Sequence, residues 1–256
     1  MIIISPAKKL DFQRLSSSVD YTQSKFINKT DILSKKLKLL RLSEIKSLMK
    51  ISDKLSKLNF DRIKSFTTKH SLENSKQAAY AFKGDTYVGL NFEDFDKKEI
   101  KYAQKNLRIL SGFYGVLKPL DLIQPYRLEM GTKIEKILDQ SLPSFWNSDV
   151  TEDINSAIKE NESKFLFNLS SNEYFQSIDD SKIIKPIITP VFIKKENGQL
   201  KSIGMLAKKC RGAMARMIIK KKIKNFEDLK SFNEFGFNYE STEKKNNKLF
   251  FVKSDG

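Results

Sequence analysis

The sequence predicts an α+β domain with a central mixed β-sheet surrounded by helices, on three observations. Apolar residues recur at three- and four-residue spacing over about 30–66, several short aliphatic runs stand apart from one another, and the two kinds of segment do not alternate as regular βα units. The length of 256 residues suits one compact domain over 1–256, and a 39% hydrophobic content supplies its core.

The opening run to Ile4 reads as a buried strand that Pro6 ends, because proline cannot continue a ladder. Ser5 and Lys8 then stand just past a strand end, where open α/β sheets gather ligands. The helical stretch that follows takes Asp31 and Ser43 as N-caps. Within 43–66, Leu55-Ser56-Lys57-Leu58-Asn59 occupies the place of a hairpin between two helices. Asn59 can reach the left-handed region there and Lys57 supplies charge, while a plain helical pair is the competing reading. Lys83-Gly84-Asp85 resembles a phosphate-cradling turn without the full P-loop pattern, and TYVGL after it reads as a short strand. Residues 93–110 read as a helix that delivers the chain to RILSGFYGVLKPLDLIQPYRLEM, Arg108 to Met130.

That stretch is an irregular connector, since Pro119 and Pro125 stop helices and the loops of a packed scaffold are where functional side chains collect. Arg108, Tyr114, Asp121, Tyr126, Arg127 and Glu129 are its candidates. Further on, PSFW reads as a loop anchored in the core by Trp146, 150–158 as a short helix, and 164–169 as a strand. Ser170 and Glu173 have capping-box spacing, which competes with a functional role for both. Residues 183–193 and 200–206 read as strands joined around Asn197-Gly198. The segment 207–223 is a basic helix, and nine Lys or Arg with no Asp or Glu fall between 197 and 226. Lys208, Lys209 and Arg211 near its start oppose the helix dipole, a cost that a bound anion would reverse and that snorkelling into water would only soften. Residues from about 241 are expected to be loosely ordered.

The net charge of +16 and pI near 9.6 point to an anionic partner, nucleic acid before nucleotides. Only seven of 47 basic residues are arginine, and Arg108, Arg127, Arg211 and Arg216 fall in the distinctive segments, which reads as a need for the planar guanidinium fork on phosphate or carboxylate. One cysteine and one histidine exclude a disulfide framework and a soft-ligand metal cluster; a carboxylate site stays open but has no recognisable spacing, and the expectation is no metal and no cofactor. No apolar run is long enough for a membrane span or a signal peptide, which makes a cytoplasmic monomer the expectation. Cys210, between Lys209 and Arg211, is either a peroxide-sensing thiolate or one member of an apolar face with Ala213, Met214, Met217 and Ile218.

Four segments, ISPAKKLDF, AFKGDTYVGL, SGFYGVLKPLDLIQPYRLEM and AKKCRGAMARMII, together resemble the YaaA peroxide-stress protein family, in order from Ile4 to about Lys253. The resemblance implies a single cytoplasmic domain with a basic cleft, a helix-hairpin-helix-like element over about 43–66, a link to hydrogen peroxide stress and iron-driven damage, and DNA binding. It also places Asn168, Ser171, Glu173 and Tyr174 in a distinctive strand-to-helix turn. Two functions follow. In the first, the protein binds DNA non-specifically through Lys57, Asn59, Lys208, Lys209, Arg211, Arg216, Lys220, Lys221 and Lys222. In the second, it is an enzyme on a nucleotide or nucleobase-like anion held by Ser5, Lys8, Lys83, Arg108, Tyr114, Tyr126, Arg127, Asn168, Ser171, Lys208, Arg211 and Arg216. Glu129 or Glu173 would then act as acid or base, with Lys8 or Lys83 stabilising charge.

Overall fold

The computed structural model of the protein describes residues 1–15, 20–196, 199–202 and 204–254, and the side chains of 196, 199–202 and 254 fall outside the described set. Its main strands are β1 (Ile2–Ile4), β2 (Leu107–Ser111), β3 (Gly115–Leu117), β4 (Leu166–Leu169), β5 (Ile187–Glu196), β6 (Gln199–Ser202), β7 (Asn238–Glu243) and β8 (Lys248–Ser254). The helices that matter for the site are α1 (Ile27–Lys38), α2 (Leu42–Met49), α3 (Asp53–Ser65), α4 (Asp85–Leu90), α5 (Lys97–Asn106), α6 (Leu142–Glu160) and α7 (Gly204–Lys221).

The eight strands form one mixed sheet in the order β7-β8-β5-β4-β1-β2-β3, with β6 also paired to β5. The inner ladders β8-β5, β5-β4, β4-β1 and β1-β2 are parallel. Those of β7 with β8, β6 with β5 and β3 with β2 are antiparallel. β1 is an interior strand between β4 and β2 with both of its faces covered: Ile2, Ile3 and Ile4 are all buried, as a continuous aliphatic run in a parallel sheet should be. From β1 the chain first adds β2 on one side and later β4 on the other, so the strand order reverses at β1. The crevice outside the carboxyl ends at such a reversal is where open α/β sheets bind ligands.

The central mixed sheet flanked by helices agrees with the expectation from sequence, and several local readings are corrected. TYVGL is helix α4 and not a strand. The reason is a helix crossing: Gly89 of α4 meets the Lys209 carbonyl of α7, and Gly212 of α7 meets the Thr86 carbonyl, with no room for a Cβ at either glycine. The helix expected over 93–110 ends at Asn106, after a capping box of Asp96 and Glu99, and Leu107–Ser111 is buried strand β2. PSFW is not a loop; Ser141 caps α6 and Pro143 sits in its first turn, where a missing N–H costs nothing. Trp146 is fully buried as expected, and its indole N–H donates to the Gly112 carbonyl at 3.0 Å.

The caps of the helical stretch also differ. Asp31 lies inside α1, and the N-cap of α2 is Arg41, not Ser43, with the Arg41 backbone N–H donating to the Glu44 carboxylate at 2.8 Å. Leu55 to Asn59 lies within α3, and the turn between α2 and α3 is at 50–52, with Lys50 left-handed and Ser52 accepting from the Leu55 N–H. Asn59 is therefore helical and buried, its amide donating to the Leu55 carbonyl at 2.8 Å. The expected loose tail instead forms β7 and β8, because Leu249 and Phe251 alternate into the core and bury completely. The Asn197-Gly198 turn lies outside the described residues, while the strands on either side of it pair antiparallel, as expected.

Candidate functional site

A cleft of about 370 Å³ opens at the carboxyl ends of β1 and β4. Three sets of backbone build it. Ser5 follows β1 directly, Ser171 follows β4, and the two are tied by the Ser171 N–H donating to Ser5 Oγ at 2.9 Å. Arg127 and Glu129 come from the connector after β3, whose course is fixed by Tyr126 Oη lying 2.7 Å from Ser111 Oγ at the end of β2. Lys208 and Arg211 come from the first turns of α7, which the Gly89–Gly212 crossing presses against α4 and so against Asp85 and Thr86. A two-residue ribbon pairing Lys9 with Lys83 forms the remaining rim.

Of the predicted ligand residues, the cleft brings together Ser5, Lys8, Lys83, Tyr126, Arg127, Ser171, Lys208 and Arg211, and with them Glu129 and Glu173. Its charged lining consists of Lys8, Lys9, Lys83, Arg127, Lys208 and Arg211 against Asp85, Glu129 and Glu173, so cations outnumber carboxylates six to three. The pairing is uneven. Glu129 is bridged by Lys8 at 2.5 Å on one oxygen and by Arg127 at 2.9 Å on the other. Glu173 accepts from the Gly131 N–H at 2.9 Å, so its carboxylate holds the neighbouring connector and does not cap its own short helix, whose N-cap is Ser171. Lys83 turns to Glu93 at 2.7 Å. Arg211 has no hydrogen-bond or ion-pair partner among the described residues, and burial pulls its pKa below the ordinary guanidinium value. Arg127 Nε is likewise buried without a partner. Burial pushes the Tyr87, Tyr126 and Tyr174 phenols above their ordinary value, which keeps them neutral donors; Tyr87 donates to the Ser5 carbonyl at 3.2 Å.

Other predicted residues lie elsewhere. Arg108, on β2 level with Ile3, is buried under the sheet, where its Nε donates to Asp153 at 2.7 Å and its Nη1 to the carbonyls of Lys105 and Leu107. Burial alone would raise the Asp153 carboxyl, but Arg108 and Lys25 bring it below its ordinary value. Tyr114 is core, with its hydroxyl accepting from the Gln124 N–H at 3.0 Å. Asn168 is buried and accepts from Ser170. Asp121 is buried and accepts from Thr22 Oγ1 at 2.6 Å and the Lys118 N–H at 2.7 Å.

The predicted DNA contacts divide in the same way. Arg216 pairs with Asp94 and donates to the Asn91 carbonyl, Lys220 pairs with Asp94 and Glu99, and Lys209 lies 4.4 Å over the Phe235 ring. Lys57, Lys208, Lys221 and Lys222 are exposed and have no carboxylate partner among the described residues. Thr86 and Leu128 also line the cleft and were missed from sequence. The signal for Thr86 was present: Thr86 and Gly89 stand three apart, a small pair at helical spacing that faces Gly212.

A mixed sheet with a cleft at the strand reversal, lined by six cationic and three acidic side chains, defines the protein as an α/β protein with a charged cleft at the carboxyl ends of its strands. The chain belongs to the peroxide stress protein YaaA family, whose model matches residues 1–243. It is 45% identical over 255 residues to a UPF0246 protein of Aliivibrio fischeri strain MJ11, covering 100% of this chain and 98% of that protein. It is 42% identical over 239 residues to a UPF0246 protein of Shewanella sediminis, covering 93% of each.

Proposed function

We propose that the protein acts in the cytoplasmic response to peroxide stress by binding DNA non-specifically through its basic surface, so limiting iron-driven oxidative damage. The observation that carries this reading is that Lys208 in α7, Lys221 at its end and Lys222 just beyond it are exposed and have no carboxylate partner among the described residues, in a chain of net charge +16. Cations held by carboxylates must give up those pairs to meet a phosphate, whereas free ones neutralise it directly and release the cations condensed on the DNA. Lys57, exposed on the α2–α3 helical pair, adds a contact at the element that resembles a helix-hairpin-helix. The test is a salt titration of duplex binding: log affinity falls with log salt by roughly 0.9 per phosphate contact, and a flat slope removes the reading.

A second reading, an enzyme on a nucleotide-like anion, is favoured by a different observation. The cleft sets the unpaired Arg211 in one lining with Glu129 and Glu173, and backbone binding has no use for the carboxylates. Glu129→Gln and Glu173→Gln separate the two. If the carboxylates serve chemistry or ligand orientation, both variants lose peroxide protection at an unchanged melting temperature while duplex affinity holds or rises. Full protection by both variants leaves DNA binding as the sole reading.

A further inference from the structure

The cations of the cleft differ in depth. Lys8 at the rim has a side chain 62% exposed, whereas that of Arg127 is 18% exposed. Arg211, in the first turns of α7, is half-buried with no partner among the described residues. Arg127 and Arg211 thus stand deeper than Lys8 and Lys208 in a cleft of about 370 Å³. That volume lies within the range of roughly 300–1,000 Å³ typical of small-molecule pockets. The guanidinium fork fits the two oxygens of a phosphate, and pairing it there would offset the cost of its burial.

The same lining also carries the carboxylate of Glu173. Glu173 spends one oxygen on the Gly131 N–H, and its second makes no hydrogen bond to the described residues, which leaves a carboxylate acceptor for a ligand N–H. Beyond the Lys9–Lys83 ribbon the cleft continues into a second groove, where Asp11, Asp85 and Glu93 are the carboxylates and Lys83 is bound to Glu93. That groove sets Asp11, Asp85 and Glu93 against Lys9 and Lys83, so it offers no excess of cations to a phosphodiester chain running on through it.

Resting on the second reading above, we propose that the cleft is a site for one small molecule of the nucleoside monophosphate class, its phosphate on Arg211 and its N–H-bearing base edge toward Glu173. The same phosphate chemistry occurs on DNA, and the measurement is arranged to tell the two sources apart. Isothermal titration with AMP, GMP, inorganic phosphate and a short duplex is run on the full chain and three variants, each checked by melting temperature. AMP or GMP binds saturably and at least about tenfold more tightly than inorganic phosphate, a difference of about 1.4 kcal/mol. Arg211→Lys keeps the charge but loses the fork and weakens nucleotide binding; Glu173→Gln weakens nucleotide but not phosphate. The double variant Lys221→Gln, Lys222→Gln weakens the duplex and leaves the nucleotide unchanged. Absence of saturable nucleotide binding, phosphate binding as tight as nucleotide, or equal loss of nucleotide and duplex in the double variant overturns the proposal. If no nucleotide binds yet Glu129→Gln and Glu173→Gln abolish protection, the enzyme reading stands with another ligand and only this inference falls.

Discussion

The carbonyl oxygen of Thr86 on α4 occupies the space in which Gly212 of α7 would carry a Cβ. Two backbones in contact at this point fix how closely α7 approaches α4, and so where Lys208 and Arg211 stand relative to Asp85 and Thr86 in the cleft lining. Gly212→Ala therefore forces the helices apart at a cost of about 1–3 kcal/mol, the usual range for overpacking. Thermal melts will show a lower midpoint for Gly212→Ala and no loss for Gly204→Ala, whose added methyl meets open space on the same helix. Equal melting temperatures for the two would show that the crossing relaxes freely.

Acid stability contains two opposing contributions. His70 is buried with Nδ1 2.9 Å from the Leu122 carbonyl and Nε2 without a partner, and burial lowers its pKa below the ordinary 6.5. The unfolded imidazole takes up its proton first, so the folded state loses stability as pH falls from 6.5 through the folded value. Asp121 runs the other way: burial raises its carboxyl from 3.8 to about 6, so its contribution is fully present below 3.8 and is lost as pH rises through 6. Urea midpoints should then fall less on acidification in His70→Gln than in the parent. Asp121→Asn should gain more, relative to the parent, at pH 7 than at pH 4. Parallel pH profiles for all three proteins would refute both assignments.

Cys210 is fully buried, and burial pushes its thiol up to about 12 despite Lys209 nearby. It is a neutral, packed side chain at neutral pH and not a peroxide-sensing thiolate. Maleimide labelling of the native protein should be slow and should become fast in denaturant, and Cys210→Ala should retain peroxide protection in a deletion strain. Rapid native labelling, or lost protection at normal protein levels, would reverse the assignment.

The sequence alone determined much of what is local. The Ile2–Ile4 run pointed to a buried strand because β-branched residues favour strands and a strand covered on both faces reads as a continuous aliphatic run. The motifs carried Ser5, Lys8, Arg127, Glu129, Ser171, Glu173 and Arg211, which the fold gathers around one cleft although they come from distant parts of the chain. The scarcity of arginine made the few that remain informative. It did not say which were free: Arg108, Arg127, Arg211 and Arg216 look alike as letters, and their neighbours in space decide their state.

Those neighbours are the work of tertiary structure. Asp153, forty-five residues away, takes Arg108 into the core, and Asp94 takes Arg216, while Arg211 meets no carboxylate. The conversion of TYVGL from an expected strand to a helix has the same origin. Its Tyr, Val and Leu suit a strand locally, but contact with α7 at Gly89 and Gly212 is available only to a helix, and the backbone packing there outweighs propensities that differ by less than about 1 kcal/mol per residue. Residues after 241 looked polar enough to be loose, yet Leu249 and Phe251 find a covered face beside β5 and the strand forms. Sequence fixes the side chains a segment brings; burial and pairing with segments far along the chain decide what that segment becomes and which of its charges stay free.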